Sequence, residues 1–305
     1  MTEQPKRLLR SWMFVPGERQ RMIDKALTLP VDAIMMDIED GVAPAEKENA
    51  RRQIGASLDA VAERLKADPT YRTPMRYVRV NQVGSQRFIE DIKAVVRPGL
   101  EGLVVPKVDT IDQVRIVEDE LGRAEVARHM PGGSVKLLVA IESPIGLFNA
   151  YPIASSSPRI MGLMFGTEDF TREMNMPVRR EGESIDLIYA RSHIATACAA
   201  AHIQAVDGVW VDLNDPEGAK RFAIQARRLG MTAISIIHPN QIDIANNAFT
   251  PAKEDIEYAS AVLAAFDEAR AKGLGAIQFR GQLLDYPIVD RARQTVALAK
   301  MLGVA

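Results

Sequence analysis

The sequence predicts an α/β fold, a (β/α)8 TIM barrel followed by a C-terminal helical lid subdomain, and three observations predict it. Short continuous apolar runs recur along most of the chain, and such runs read as strands buried on both faces. Helix-like stretches separate them, which is the alternation of a parallel sheet. Several runs also end in charge: Ala33-Ile34-Met35-Met36-Asp37-Ile38-Glu39-Asp40, Leu103-Val104-Val105-Pro106-Lys107, Leu137-Leu138-Val139-Ala140-Ile141-Glu142, and Met161 to Phe165 running on to Glu168-Asp169. Charges at the C-terminal ends of parallel strands sit where an α/β enzyme keeps its chemistry. Carboxylates buried there are costly unless a cation or a substrate uses them.

In chain order, the first strand starts at Ser11 and turns at Pro16-Gly17. Further strands are expected to begin near Ala33, Met75, Glu101, Val135, Arg159, Asp207 and Thr232. A helix from Glu46 to Leu65 follows from the near-helical recurrence of Ile54, Leu58, Val61 and Leu65, with Pro44 suited to its start. Ser184 to Ile203 and Glu217 to Leu229 read as two more helices. Eight strand–helix units favour a closed barrel over an open doubly wound sheet, and no Gly-x-Gly-x-x-Gly follows the first strand to signal a dinucleotide fold. The barrel is assigned to residues 1–248. Residues 249–305 hold a helix running to about Lys272, a stretch containing Gly273, Gly275 and Gly281, and a terminal helix from Val289 to Met301. They are expected to form a lid or oligomerisation subdomain.

With 305 residues and 47% hydrophobic content, the chain can bury a large core. A formal charge of −2 offers no broad basic field for nucleic acid, and the clusters Arg179-Arg180 and Arg227-Arg228 read as solvated surface. The single cysteine, Cys198, lies in an alanine-rich run and reads as a packed, inert thiol. The first residues lack a signal-peptide core, and no segment has the length and apolarity of a membrane span, so a cytoplasmic location is the economical expectation.

Glu142 and Asp169 are the best candidates for a metal pair, because carboxylates with few histidines suit Mg²⁺ better than structural zinc. Each can equally cap a helix or pair with a lysine. Glu39 and Asp40 either cap the following helix or orient Lys107, Arg79 or a metal site. Arg79, in the alternating segment Tyr77 to Asn81, offers a guanidinium fork for a carboxylate or an enolate oxygen, with a structural salt bridge as the alternative. His238, ahead of Pro239, suits a ligand-binding loop better than a metal. Asp285 is a loop aspartate that a mobile lid can deliver for proton transfer.

Taken together, Arg10 to Gly17, Asp37-Ile38-Glu39-Asp40-Gly41-Val42, Val105-Pro106-Lys107-Val108, Ile141 to Gly146, Phe165-Gly166-Thr167-Glu168-Asp169-Phe170, Ile237-His238-Pro239 with Gln241, and Leu284-Asp285 with Pro287 resemble the citrate lyase beta-subunit-like family. That family lies within the HpcH/HpaI aldolase/citrate lyase group, which includes malyl-CoA and citramalyl-CoA lyases. The likeness runs from about Arg10 to Ala299. It implies a Mg²⁺-dependent carbon–carbon lyase that cleaves or forms a 3-hydroxy-3-carboxyacyl-CoA, giving acetyl-CoA plus glyoxylate or pyruvate. By the same resemblance Glu142 and Asp169 hold Mg²⁺, and Arg79, Lys107, Gly166, Thr167 and His238 contact the substrate. Glu39 and Asp40 support the site, and Asp285 is the acid/base. A CoA thioester partner is implied, as is a homotrimer or homohexamer in which the lid covers an adjacent subunit's barrel. Four alternatives stay open: a malyl-CoA thioesterase, an acyl-carrier-dependent citrate lyase beta subunit, a free hydroxy-acid aldolase, and a non-catalytic interaction protein.

Overall fold

Eight parallel strands close on themselves in sequence order: β1 (Ser11–Pro16), β2 (Ala33–Asp37), β3 (Met75–Arg79), β4 (Gly102–Val105), β5 (Lys136–Ile141), β6 (Ile160–Phe165), β7 (Gln204–Asp207) and β8 (Ala233–Ile236). The last pairs back onto the first through Ser11 with Ile234, Trp12 with Ser235 and Met13 with Ile236. This computed structural model describes residues 9–177, 184–271 and 276–304. Arg179 and Arg180 of one basic cluster, and Gly273 and Gly275 of the tail, lie outside the described residues.

Helices follow the strands around the outside: α1 (Gln20–Ala26), α2 (Lys47–Ala67), α3 (Gln86–Val95), α4 (Ile111–Ala127), the short α5 (Pro144–Phe148) and α6 (Ala150–Ala154), α7 (Thr167–Glu173), α8 (Ile188–Ala201) and α9 (Pro216–Arg228). The apolar spacing read in α2 is the stripe it buries, with Ile54, Leu58 and Val61 out of solvent. Alternate strand residues turn inward and fill the barrel, among them Trp12, Met35, Tyr77, Leu138 and Met164. Trp12 meets Tyr77 edge to face with ring centroids 4.7 Å apart, a favoured aromatic geometry. The barrel floor is therefore packed, and open space remains only toward the strands' C-terminal ends.

Two expectations need correction. Asp207 ends β7 rather than beginning it. His202, in the left-handed region at φ 57°, closes α8, and the strand starts two residues later. Asp207 is fully buried because Arg191 on α8 grips it, with Nε at 2.8 Å and Nη2 at 2.7 Å from Oδ2. β3 also does not alternate in burial. Arg76 tucks its guanidinium against Gly99 O at 2.6 Å, Pro74 O at 2.8 Å and the Glu101 carboxylate.

A first compact unit ends at Asn246 and a second begins at Asn247. Helix α10 (Ile242–Ala248) crosses that point. The second unit is an α-helical pair, α11 (Lys253–Ala271) and α12 (Tyr286–Leu302), with a hairpin of β9 (Ile277–Phe279) and β10 (Gln282–Leu284) between them. Val262, Phe266, Leu284 and Val289 form its core. The two-residue turn Arg280-Gly281 has φ of 48° and 81°, the positive pair that matches strand twist in a tight hairpin. Helix α12 starts three residues earlier than the sequence suggested, because Asp285 caps it and Pro287 fits its first turn.

Candidate active site

The end of β2 sets the first anchor. Its period-two parity runs Ala33, Met35, Asp37 into the barrel, and Asp37 meets its register partner Arg79 at the end of β3. The contact is bidentate, Nε to Oδ1 and Nη2 to Oδ2, both at 2.7 Å. Asp37 also accepts the backbone N–H groups of Glu39 and Gly41. Glu39 Oε2 lies 3.3 Å from Arg79 Nη1, and the guanidinium carbon sits 4.9 Å over the Phe14 ring. Burial opposes the charge on Arg79. Asp37, with Glu39 and Glu142, outweighs it and holds the side chain protonated, above its ordinary pKa.

Lys107, just past β4, closes the second anchor. Its Nζ donates to Glu39 Oε1 at 2.6 Å and to Asp40 Oδ2 at 2.7 Å. Partial burial acts to raise the Asp40 carboxyl, but the lysine wins and holds it below its usual value. The Lys107 backbone sits at φ 55°, a costly conformation for a non-glycine residue and one that marks functional loops. Beneath the acidic pair, buried Lys47 donates to Ile38 O at 2.6 Å and Glu39 O at 2.9 Å, tying the loop to α2.

Glu142, at the end of β5, and Asp169, in the first turn of α7 after β6, line one cavity of about 390 Å³ with Arg79 and Asp37. Burial and then Asp169 push the Glu142 carboxyl up to about 8, against the pull of Arg79 and Lys107. Glu142 Oε2 and Asp169 Oδ1 are both buried without a hydrogen bond. Exposed Arg172 lies 2.5 Å from Asp169 Oδ1 as an ion pair, but without the alignment of a hydrogen bond. A buried carboxylate and a half-buried one that repel each other, each with an oxygen that makes no hydrogen bond, fit a divalent cation, which relieves their repulsion. No group of three or more acidic, histidine or cysteine side chains able to hold a metal occurs among the described residues. A carboxylate pair is what Mg²⁺ takes from proteins, the rest of its shell being substrate and water.

Two glycines keep that space open. A Cβ on Gly166 would stand 2.2 Å from Glu142 Cγ, and one on Gly208 would stand 1.8 Å from Thr167 Oγ1. Gly166 and Thr167 thus serve the site by admitting Glu142 and starting α7 at the cavity wall. The charged residues lining the cavity, Asp37, Arg79, Glu142, Glu168 and Asp169, come from β2, β3, β5 and the β6–α7 turn, while β7, β8 and β1 supply Gly208, Val209, Ser235, Ile237, Phe14 and Val15.

His238 stands outside this cavity. It lines a neighbouring groove of about 660 Å³ with Arg19, Arg21, Lys25 and Pro239, and its Nδ1 accepts the Asn240 N–H at 3.2 Å. Asp285 belongs to the second unit, where its side chain accepts the Ile288 N–H at 3.4 Å. Cys198 is buried, and desolvation pushes its thiol up to about 12, which leaves it inert at neutral pH. Arg227 and Arg228 are exposed in the last turn of α9. No helix among the described residues is long and apolar enough to cross a membrane.

Sequence reasoning passed over Asp37 and Ser235 as site residues. For Asp37 the signal was available: parity from Met35 puts it, rather than Ile38, on the inward face. For Ser235 the same parity from Ala233 would have served.

Comparison with known proteins agrees with this geometry. The family model for HpcH/HpaI aldolase/citrate lyase matches residues 10–239. The citrate lyase subunit beta of Escherichia coli (strain K12) is 36% identical over 304 residues, covering 100% of this chain and 97% of that protein. The mitochondrial citramalyl-CoA lyase of Homo sapiens is 31% identical, covering 95% and 85%. The crystal structure of protein CitE from Mycobacterium tuberculosis in complex with magnesium, acetoacetate and coenzyme A superposes with a TM-score of 0.76 at 28% identity, covering 95% of this chain and 97% of that one. Charged strand ends, a barrel and a carboxylate pair converge with these matches: the chain belongs to the HpcH/HpaI aldolase/citrate lyase family.

Proposed function

We propose that this protein is a Mg²⁺-dependent carbon–carbon lyase acting on CoA thioesters of 3-hydroxy-3-carboxy acids. The observation that carries the reading is the repelling pair Glu142 and Asp169, each with a buried oxygen that makes no hydrogen bond, in the cavity that also holds Arg79. The relatives name the chemistry: a citrate lyase subunit, a citramalyl-CoA lyase, and a structure bound to magnesium and coenzyme A.

Glu142 and Asp169 would hold Mg²⁺, which would supply positive charge for the oxyanion that forms from the substrate hydroxyl. Cleavage of the C2–C3 bond then leaves a keto acid and the enolate of acetyl-CoA. Arg79 faces the cavity with its charge fixed by Asp37 and Glu39, so it is preorganised to stabilise a developing anion. Lys107 neutralises Glu39 and Asp40 and keeps their repulsion from spreading to the enolate. Asp285 gives a proton to the enolate carbon, made good by the one the substrate hydroxyl releases, and in reverse it removes one from the acetyl methyl group. The basic, half-apolar groove of Arg19, Arg21, Lys25 and His238 suits the phosphates and pantetheine of CoA. The second unit acts as the lid subdomain, closing over the barrel of an adjacent subunit in a trimer or hexamer.

The test is a time course of the purified protein with Mg²⁺ and separate malyl-, citramalyl- and citryl-CoA, read by mass spectrometry. Keto acid and acetyl-CoA rising together supports the lyase. Free hydroxy acid with free CoA and no keto acid replaces it with a thioesterase, and no turnover of any of them sinks the reading.

A further inference from the structure

Strand β8 carries a single polar side chain into the apolar arc of the cavity. Inward parity on β8 runs Ala233, Ser235, Ile237: Ala233 belongs to the packed interior, while Ser235 and Ile237 line the cavity. Ser235 is 1% exposed, and its Oγ has no hydrogen-bond partner. Glu142 Oε2 and Asp169 Oδ1, the oxygens assigned to the cation, share that condition in the same cavity. The other cavity-lining residues of this arc, Phe14 and Val15 from β1, Gly208 and Val209 after β7 and Ile237 after β8, have no side chain that can pair with a hydroxyl.

A buried hydroxyl with an unmade hydrogen bond costs stability, and a site that keeps one discriminates against ligands that leave it unmade. The charged arc accounts for the substrate's carboxylate and hydroxyl, through the cation pair and Arg79. What remains is the fourth substituent on the carbinol carbon, which is a hydrogen in malyl, a methyl in citramalyl and a carboxymethyl in citryl thioesters. Only the last carries an oxygen acceptor. We infer that Ser235 is a specificity-determining residue whose hydroxyl donates to a carboxylate on this arm, so that the preferred substrate is a thioester with an oxygen-bearing side arm rather than a methyl or a hydrogen. This rests on the lyase reading above and deepens it.

The experiment compares kcat/KM of full-length wild type and Ser235→Ala with Mg²⁺ on citryl-CoA, citramalyl-CoA and malyl-CoA. Wild type prefers citryl-CoA. Ser235→Ala loses about 10- to 100-fold on citryl-CoA and less than about threefold on citramalyl-CoA, the size of one hydrogen bond to a charged group. Turnover of citramalyl-CoA by the variant doubles as proof that its metal site and fold are intact. Ser235→Thr, which keeps the hydroxyl, restores part of the citryl-CoA rate. Equal losses on both substrates, no loss on either, or a wild-type preference for citramalyl- or malyl-CoA overturns the inference and leaves the lyase standing. Failure of wild type on all three overturns both.

Discussion

At the scale of single residues, the site is a contest between burial and charge, and the winners are set by neighbours a few ångströms away. Arg79 keeps its charge in a largely enclosed place because Asp37 holds it in a two-point grip. A lysine has the charge but not the fork. Arg79→Lys is therefore expected to lower kcat/KM by about 100-fold or more while the protein still binds Mg²⁺, checked by steady-state kinetics beside a calorimetric Mg²⁺ titration. Gly166 makes a sharper case, since the nearest atom to any added Cβ is Glu142 Cγ at 2.2 Å. Gly166→Ala should displace that carboxylate and weaken Mg²⁺ binding by about 10- to 100-fold, the usual effect of disturbing a ligand's support. Unchanged affinity in the same titration would remove Glu142 from the metal site.

At the scale of elements, charge pairs decide where helices and strands lock together. Glu125, buried on α4, accepts two hydrogen bonds from Arg159 and the N–H groups of Gly133 and Val135. Burial alone would raise its pKa, but Arg159 and those N–H groups bring it down to about 2. A carboxylate whose folded pKa lies below its unfolded value stabilises the fold above the unfolded pKa and loses that contribution as pH falls toward the folded one. Urea midpoints should thus hold steady above about pH 5 and drop between roughly pH 4.5 and 2, with Glu125→Gln showing a flatter profile over that window by up to roughly 3 kcal/mol. Asp285 caps α12 and is proposed as the proton carrier, and one substitution can separate the two roles. Asparagine caps a helix about as well as aspartate but cannot shuttle a proton. Asp285→Asn should keep the melting temperature within about 2 °C and cut turnover at least about 100-fold. Turnover equal to wild type would leave the residue as a cap alone.

The elements were also the part most legible before any coordinates. Seven strands begin at or one residue after the positions read from the sequence, since most are buried on both faces and read as apolar runs; β3, with Arg76 and Arg79, is the exception. β7 broke the rule: Gln204 and Asp207 bracket only two apolar residues, too little to stand out beside an alanine-rich helix. Glu142 and Asp169 were visible because each closely follows the apolar run of its strand. The Asp37 grip on Arg79 was not, because it depends on which strands are neighbours, and Ser235 could be placed on the inward face by parity but its missing hydrogen bond could not be read from the sequence.

For the molecule as a whole, the metal pair and the proton carrier are assigned to different compact units, Glu142 and Asp169 to the barrel and Asp285 to the second. Cation binding should then stabilise the barrel directly. At 100-fold excess over Kd a ligand adds about 2.7 kcal/mol, so scanning calorimetry should show a higher melting temperature with Mg²⁺ that EDTA reverses. Glu142→Gln with Asp169→Asn should melt at one temperature with or without the ion, and a Mg²⁺ shift surviving in that variant would place the cation elsewhere.

The division of the rim into a charged arc on β2 to β6 and an apolar arc on β7, β8 and β1 bears on how such an enzyme can change over evolutionary time. Substitutions at Ser235, Ile237 or Val209 alter which acid fits without changing a carboxylate, the arginine or the lysine. A lineage can therefore drift from one substrate to another through fully active intermediates, and a laboratory library confined to those three positions should yield new specificities at a far lower rate of dead clones than one spread evenly around the barrel mouth.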